Sequence, residues 1–313
     1  MFALREIAVS LAFFVLLYCL LSALVAIAWR SLKPVDVAQR SVAAFLFGLH
    51  VLPLLASVVI TLAFVVPSFQ LLEPRSISTN EGIGAKPLAL GLCALLLIAY
   101  NSFRVIAAQS RTTRVVTRWL EGACPLAAGA QTVTLQSGGE APALTLVGVR
   151  KPRVLVSEAT LALLSHDELQ IALKHELAHV QFRDNLKKLI FRFCPFPGMA
   201  TLESAWSEAS ELAADDAAVS NQCEAVDLAA ALIKLSRLVP VEAPPVCAAG
   251  LVTGSLSDRV ERLLAWDESS KARRVRIRTW FVVPPVVAAS LFVTIAYGPV
   301  LALTHELTEW LVR

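Results

Sequence analysis

Long stretches of this chain carry no charged residue, and they limit its architecture before anything else does. Ile7 to Trp29 has none, and neither has Ser41 to Leu72 with His50 neutral. A helix needs about 20 apolar residues to cross a bilayer. Inside hydrocarbon each backbone N–H and C=O must find its partner within the protein, so an isolated apolar run of this length reads as a helix. Pro87 to Phe103 is shorter, but Lys86 and Arg104 at its ends can reach the headgroups. A fourth run extends from Thr279 to Thr304. Hydrophobic residues make up 56% of the chain and charged ones 17%, too apolar for an ordinary soluble protein. We expect a mainly α membrane protein with four transmembrane helices. The first is read as an uncleaved anchor, because Glu6 offsets Arg5 and the run outlasts a signal-peptide core.

Charge bias orients these spans. Arg30, Lys33 and Arg40 follow the first run, and Arg104, Arg111, Arg114 and Arg118 follow the third. Lys271, Arg273, Arg274, Arg276 and Arg278 precede the fourth. Loops rich in Lys and Arg stay in the cytoplasm. Both termini are then outside the inner (plasma) membrane, and the segment between the third and fourth spans is cytoplasmic. The expected organisation is three transmembrane helices in 1–108, a cytoplasmic α+β domain in 109–278, and a fourth helix with a short tail in 279–313. The middle segment can hold a core of its own. It opens with strand-like runs at Thr132 to Leu135, Leu144 to Val147 and Val154 to Val156, and after Ser157 it reads almost entirely as helix.

One of those helices carries His175-Glu176-Leu177-Ala178-His179, an H-E-x-x-H pattern. Histidines at i and i+4 leave the same helix face and can grip one metal ion, while the glutamate beside them can take a proton from a metal-bound water. That is the minimum equipment of a zinc hydrolase. Ser165-His166-Asp167-Glu168 has the form of a capping box that starts the helix. The bland alternative is an ordinary surface helix.

A catalytic zinc normally takes three protein ligands and a water. Only five histidines are present, and outside the motif His50 lies in a long apolar run, His166 in the helix cap and His305 near the C-terminus. A carboxylate is the better third candidate. Glu211 and Asp215 share one face of a strongly helical, alanine-rich stretch. Glu211 could bind the metal while Asp215 orients a ligand histidine through its other ring nitrogen.

H-E-L-A-H at 175–179, Asp184 shortly after it, and E-L-A-A-D at 211–215 together resemble the integral-membrane zinc peptidases of the BlaR/MecR type. The heat-shock and CAAX-processing membrane peptidases are close in motif. The stretches Ala141 to Gly148, Pro152 to Ser157 and Asp258 to Leu264 add to the likeness. The resemblance implies His175, His179 and Glu211 as metal ligands, Glu176 as general base, and Asp215 and Asp184 as residues supporting the ligands from behind. Asp184 could instead only cap the next helix. Relatives often carry a basic residue shortly before the glutamate ligand, whereas here Ser207-Glu208 stands there, which leaves Glu208 as a competing ligand.

The implied function is a membrane-embedded zinc endopeptidase acting on a cytoplasmic or membrane-proximal protein, regulatory in role. The alternatives are a heat-shock-type quality-control metallopeptidase and a non-catalytic, zinc-stabilised scaffold. A protein or peptide substrate, membrane lipid, and a sensor or regulator in the membrane are the expected partners, since the penicillin-binding sensor domain of β-lactam-responsive members is expected to be absent. All three tyrosines fall in spans, so an oxyanion donor would be His166 or an arginine. The strand near Val154 could pair with an extended substrate. Leu186 to Met199, mixing aromatic and basic residues, is expected at the bilayer interface. Six cysteines without a C-x-x-C pair imply neither a disulfide framework nor a cysteine metal site. The net charge of +3, concentrated beside the spans, suits anionic headgroups, and nothing resembles a nucleic-acid module.

Overall fold

The computed structural model describes residues 2–31, 38–72, 84–121, 123–128, 133–137, 142–149, 151–238, 249–250, 255–267 and 283–312, with side chains of the last helix described from residue 296. Three helices among the described residues are long and apolar enough to cross a membrane. The first is α1 (Phe2–Ser31). The second, Gln39–Leu72, is α2 (Gln39–Ile60), a π-helical stretch (Thr61–Val65) and α3 (Val66–Leu72) in succession. Pro67 has no N–H to return to the Ala63 carbonyl, and the Tyr297 hydroxyl donates to that oxygen instead at 3.1 Å. The third is α4 (Ala85–Leu120), whose 36 residues run unbroken across the 108/109 boundary expected from sequence.

Small residues let α1 and α4 approach closely: Ala8, Ala12 and Ala94 are buried, and a Cβ on Gly91 would sit 3.1 Å from the Ala8 carbonyl oxygen. Such close backbone contact is how helices associate where no hydrophobic drive separates protein from lipid. Of the fourth expected run, residues 279–282 lie outside the described residues, and from Val283 the chain is helical to Val312.

Among the described residues five strands follow α4: β1 (Cys124–Ala128), β2 (Val133–Ser137), β3 (Leu144–Val147), β4 (Arg153–Ser157) and the short β5 (Ala249–Gly250). Their order is β1-β2-β4-β3-β5. β2 lies parallel to β4, and β3 lies antiparallel to it, so β4 is central. The strand at Val154 therefore has both neighbours and no open edge for a substrate, contrary to the sequence expectation. Gly148 makes the turn out of β3 with φ +92, where a Cβ would meet the Lys151 carbonyl oxygen at 2.7 Å. Gly138-Gly139, which the sequence reads as a turn between the first two strand-like runs, and Glu242-Ala243-Pro244-Pro245, which it reads as a helix break, lie outside the described residues.

The rest is helical: α5 (Glu158–Leu163), α6 (His166–Phe182), α7 (Asp184–Phe193), α8 (Ala200–Ala218), α9 (Gln222–Ser236) and α10 (Leu256–Leu264), with α11 (Val283–Val312) last. Two apolar clusters organise them. One joins β3 and β4 to α6, α9 and α10 through Leu146, Val154, Ile171, Leu228, Leu232 and Leu263. The other joins α1 and α2 to α7 and α8 through Val25, Leu46, Phe191, Leu202 and Trp206. Phe191 stands edge-on to Trp206, with ring centroids 4.8 Å apart, and 4.4 Å from the ring of His50. Hence α7 packs Phe191 between residues of α2 and α8. α8 begins in the second cluster, at Leu202 and Trp206, and ends among the site residues described next.

Candidate metal centre

The capping box at the start of α6 forms as its spacing suggests. The Ser165 N–H donates to Glu168 Oε2 at 2.8 Å, and the Glu168 N–H donates to Ser165 Oγ at 3.3 Å. Ile171, Ala172 and Ala178 bury one face of the helix. On the adjoining face His175, Glu176 and His179 are almost wholly shielded, at 0%, 0% and 1% exposure. α6 ends at Arg183, a non-glycine residue in the left-handed region (φ 56). That reversal costs about 1–2 kcal/mol, and it turns the chain so that Asp184, the first residue of α7, comes back beneath His179.

Each imidazole is engaged on its far side by a carboxylate. His179 Nδ1 donates to Asp184 Oδ2 at 2.7 Å. The same oxygen accepts from Ser210 Oγ at 2.8 Å, while Asp184 Oδ1 takes Lys187 Nζ at 3.0 Å. His175 Nδ1 lies 3.0 Å from Asp215 Oδ1, an ionic distance with poorer hydrogen-bond geometry. With Nδ1 of both rings turned to acids, the Nε2 atoms face each other at 3.1 Å. Glu211 completes the group, with Oε2 3.5 Å from His175 Nε2 and Oε1 3.7 Å from His179 Nε2.

This donor set fits a metal ion. One ligand atom from each of His175, His179 and Glu211 can be chosen so that all lie within 4.8 Å of one another, in a wholly buried group. Two nitrogens each about 2.05 Å from a tetrahedral ion would stand about 3.3 Å apart, close to the spacing seen. The electrostatics agree. Burial pushes the His179 imidazole toward the neutral form, but the charge of Glu211 and the bond to Asp184 outweigh it and raise its pKa to about 10. Burial likewise opposes charge on Glu211, yet His179, His175 and Arg259 hold its carboxyl well below the usual range. Surroundings that bind a proton this tightly are surroundings that call for a cation.

Glu176 differs from the other acids. Both of its carboxylate oxygens are buried without a hydrogen-bond partner among the described residues. Burial raises its pKa above the ordinary carboxylate value, against the pull of His179 and His175. A carboxyl group of this kind can accept and release a proton.

Glu211 faces inward and is buried, whereas Glu208, one turn earlier on α8, is exposed. Asp184 opens α7 as its alternative reading proposed, but no side-chain cap forms there, and its carboxylate goes to His179. His166 is exposed at the start of α6, nine residues from His175 and about 13 Å along the axis. Arg259 of α10 is the residue that sequence reasoning missed. It is 3% exposed, donates through Nε and Nη2 to both Asp215 oxygens at 2.8 and 2.7 Å, and reaches Glu211 Oε2 through Nη1 at 3.1 Å. Ser210, holding Asp184 from α8, was missed as well. The one available signal was the family-like stretch Asp258 to Leu264, which contains Arg259 but assigns it no partner.

No curated protein matches the chain. A family profile described as BlaR1 peptidase M56 matches residues 88–263, from the first turn of α4 to near the end of α10, and so takes in every residue of the buried group. Since that match covers more than half of the sequence, the chain belongs to the BlaR1 peptidase M56 family of metallopeptidases.

Proposed function

We propose that this protein is a multi-pass membrane zinc endopeptidase that cleaves a cytoplasmic or membrane-proximal protein in a regulatory role. In this reading it has four spans, both termini outside the inner membrane, and a cytoplasmic catalytic domain over 109–278. The observation that carries the proposal is the buried His175–His179–Glu211 group beside the unpartnered carboxylate of Glu176. Two imidazoles and one carboxylate match the ligand chemistry of a catalytic zinc, which leaves a position for water. Zinc held there would supply an acidified water and a Lewis acid for the scissile carbonyl.

The chain's own residues do the rest. Asp184 holds His179 with its proton on Nδ1, and Asp215 is placed to do the same for His175, so both Nε2 lone pairs are free for the metal. Glu176 takes the proton of the attacking water and passes it to the leaving amine, a transfer that its raised pKa favours.

Metal content measured beside peptide cleavage tests the proposal. Glu176→Gln should retain zinc and lose at least about 100-fold in rate, the scale of a lost general base. Full activity in that variant would rule out the mechanism, and a wild-type protein that holds zinc but cleaves nothing would favour a scaffold.

A further inference from the structure

Hydrolysis of a peptide bond puts negative charge on the carbonyl oxygen, and a donor or cation of the protein that faces this oxygen speeds the step. Most cations near the metal group are already committed. Arg259 spends Nε, Nη1 and Nη2 on Asp215 and Glu211, behind the ligands. Lys187 bonds Asp184 and lies 6.0 Å from the ring of Trp206, on the side of α7 that meets α8. The exposed His166 sits at the far end of α6. Lys188 is different. It is half-buried, and it makes no hydrogen bond or ion pair with any described residue.

Its place on α7 brings it to the site. Asp184 turns to His179 of α6, and Asn185 Nδ2 donates to the Leu146 and Gly148 carbonyls at the end of β3, at 3.3 and 3.0 Å. Lys188 comes one turn later, and at about 100° per residue its Cβ falls between those two directions, toward the gap between α6 and the end of β3. Glu176 senses it there. Burial is the largest influence on the Glu176 carboxyl and raises its pKa, while the positive charges of His179, His175 and Lys188 pull against it. The lysine does not neutralise the acid by contact: neither Glu176 oxygen has a hydrogen-bond partner among the described residues, and no ion pair joins the two. An uncommitted ammonium and an uncommitted carboxylate thus stand apart in one neighbourhood, beside the His175–His179–Glu211 group.

We propose that Lys188 is a catalytic residue, whose ammonium donates a hydrogen bond to the carbonyl oxygen of the bond being cut. When water adds, its oxygen bonds to the carbonyl carbon and Glu176 takes the proton released. The carbonyl π electrons become a lone pair on the oxygen that Lys188 faces. As the C–N bond breaks, that pair re-forms the carbonyl, and the proton on Glu176 leaves with the amine. Lys188 stays protonated throughout. The assignment rests on the peptidase reading and supplies the oxyanion donor that this reading lacks.

Full-length, zinc-loaded protein in phospholipid nanodiscs tests it, with the fastest-cut member of a library of proteome-derived peptides as substrate. Lys188→Met keeps the aliphatic stem. It should retain zinc and lose about 100-fold or more in kcat while KM stays within about threefold, the pattern of one lost oxyanion donor. Lys188→Arg keeps the charge and should recover at least about tenfold of that loss. A phosphinic peptide of the same sequence carries anionic oxygens where the oxyanion forms, and calorimetry should find it bound about 100-fold more weakly by Lys188→Met. A Lys188→Met variant with the kcat of wild type, as expected of a lysine that meets only lipid headgroups, overturns the assignment and leaves the peptidase reading standing. A variant that raises KM alone also overturns it, because the lysine then binds a charge of the substrate. So does a loss of kcat that Lys188→Arg does not recover and that leaves phosphinic-peptide affinity unchanged, the mark of a structural role. A zinc-loaded wild type that cleaves no library peptide defeats both readings.

Discussion

The two histidines of the metal group are supported in different ways. His179 is served from nearby: Asp184 comes from the turn that ends the same helix, and a hydrogen bond of 2.7 Å closes the pair. His175 is served from a distance: Asp215 sits on another helix, lies 3.0 Å away, and is itself clamped by Arg259 of a third. A local support exists once one turn has formed. The distant one exists only when α6, α8 and α10 are packed together, so the support of His175 depends on the assembled domain. The cations differ too. Lys187 completes Asp184 with a side chain 21% exposed, while the Arg259 side chain is 4% exposed. A solvated ammonium can lose its partner cheaply, but a buried guanidinium cannot.

The sharpest way to break this contrast is Arg259→Leu. It leaves Asp215 and Glu211 buried without the guanidinium that neutralises them, and removing one partner of a buried ion pair costs about 3–5 kcal/mol. Purified protein should show a large drop in thermal midpoint without added metal, partly restored by zinc, since a dication replaces the missing charge. Lys187→Met should shift the midpoint far less. Equal shifts in the two variants would mean that the distant support is no more costly to break than the local one.

What the sequence discloses follows the same division. His175, Glu176 and His179 are legible because helical spacing alone puts them on neighbouring faces. Glu211 and Asp215 are legible as a pair for the same reason, although only packing decides that Glu211 rather than Glu208 turns inward. Arg259 lies in a short amphipathic helix with Arg262, and nothing local separates the arginine that is buried from the one that pairs with Asp216 nearer the surface. The sheet repeats the lesson. The runs at Leu144 and Val154 are recognisable strands, but the parallel pairing of β2 with β4 is a long-range choice, and β1, built on Cys124-Pro125-Leu126, lacks the alternation that marks a strand. Apolar runs mark candidate spans, but they do not reveal that α4 runs unbroken from Ala85 to Leu120, well beyond the apolar stretch that ends at Phe103.

A milder comparison sets Asp215→Ala against Asp184→Ala. Each removes the acid that orients one histidine, so each should weaken zinc binding by about 10–100-fold. Their effects on stability should differ. Asp215→Ala also strips Arg259 of two hydrogen bonds in a buried site, whereas Asp184→Ala releases a lysine that can turn to water. Zinc titration with a competing chelator, run beside apoprotein melting, separates the two quantities. The local-versus-distant distinction fails if Asp184→Ala is the more destabilising of the pair.

The smallest effect lies at the other end of α6, where Glu168 also has one local and one distant partner. The Ser165 N–H donates to its Oε2 at 2.8 Å, and Lys234 Nζ of α9 reaches the same oxygen at 2.7 Å. Burial pushes the Glu168 carboxyl up, but the bonds from Lys234 and Ser165 outweigh it and hold the pKa below the usual 4.5. A carboxylate whose folded pKa is depressed adds stability that is fully present above its unfolded value and is lost as pH falls through its folded value. The Lys234 side chain is 37% exposed, so solvent screens the pair, and Lys234→Met should cost under about 1 kcal/mol near pH 7. Ser165→Ala removes the local cap and should cost about 1 kcal/mol. Melting curves from pH 7 down to pH 3 should show the Lys234→Met deficit closing once Glu168 is protonated in both proteins. A deficit that persists unchanged at pH 3 would assign the role of Lys234 to the packing of its aliphatic stem, and α6 would then be anchored at this end by its capping box alone.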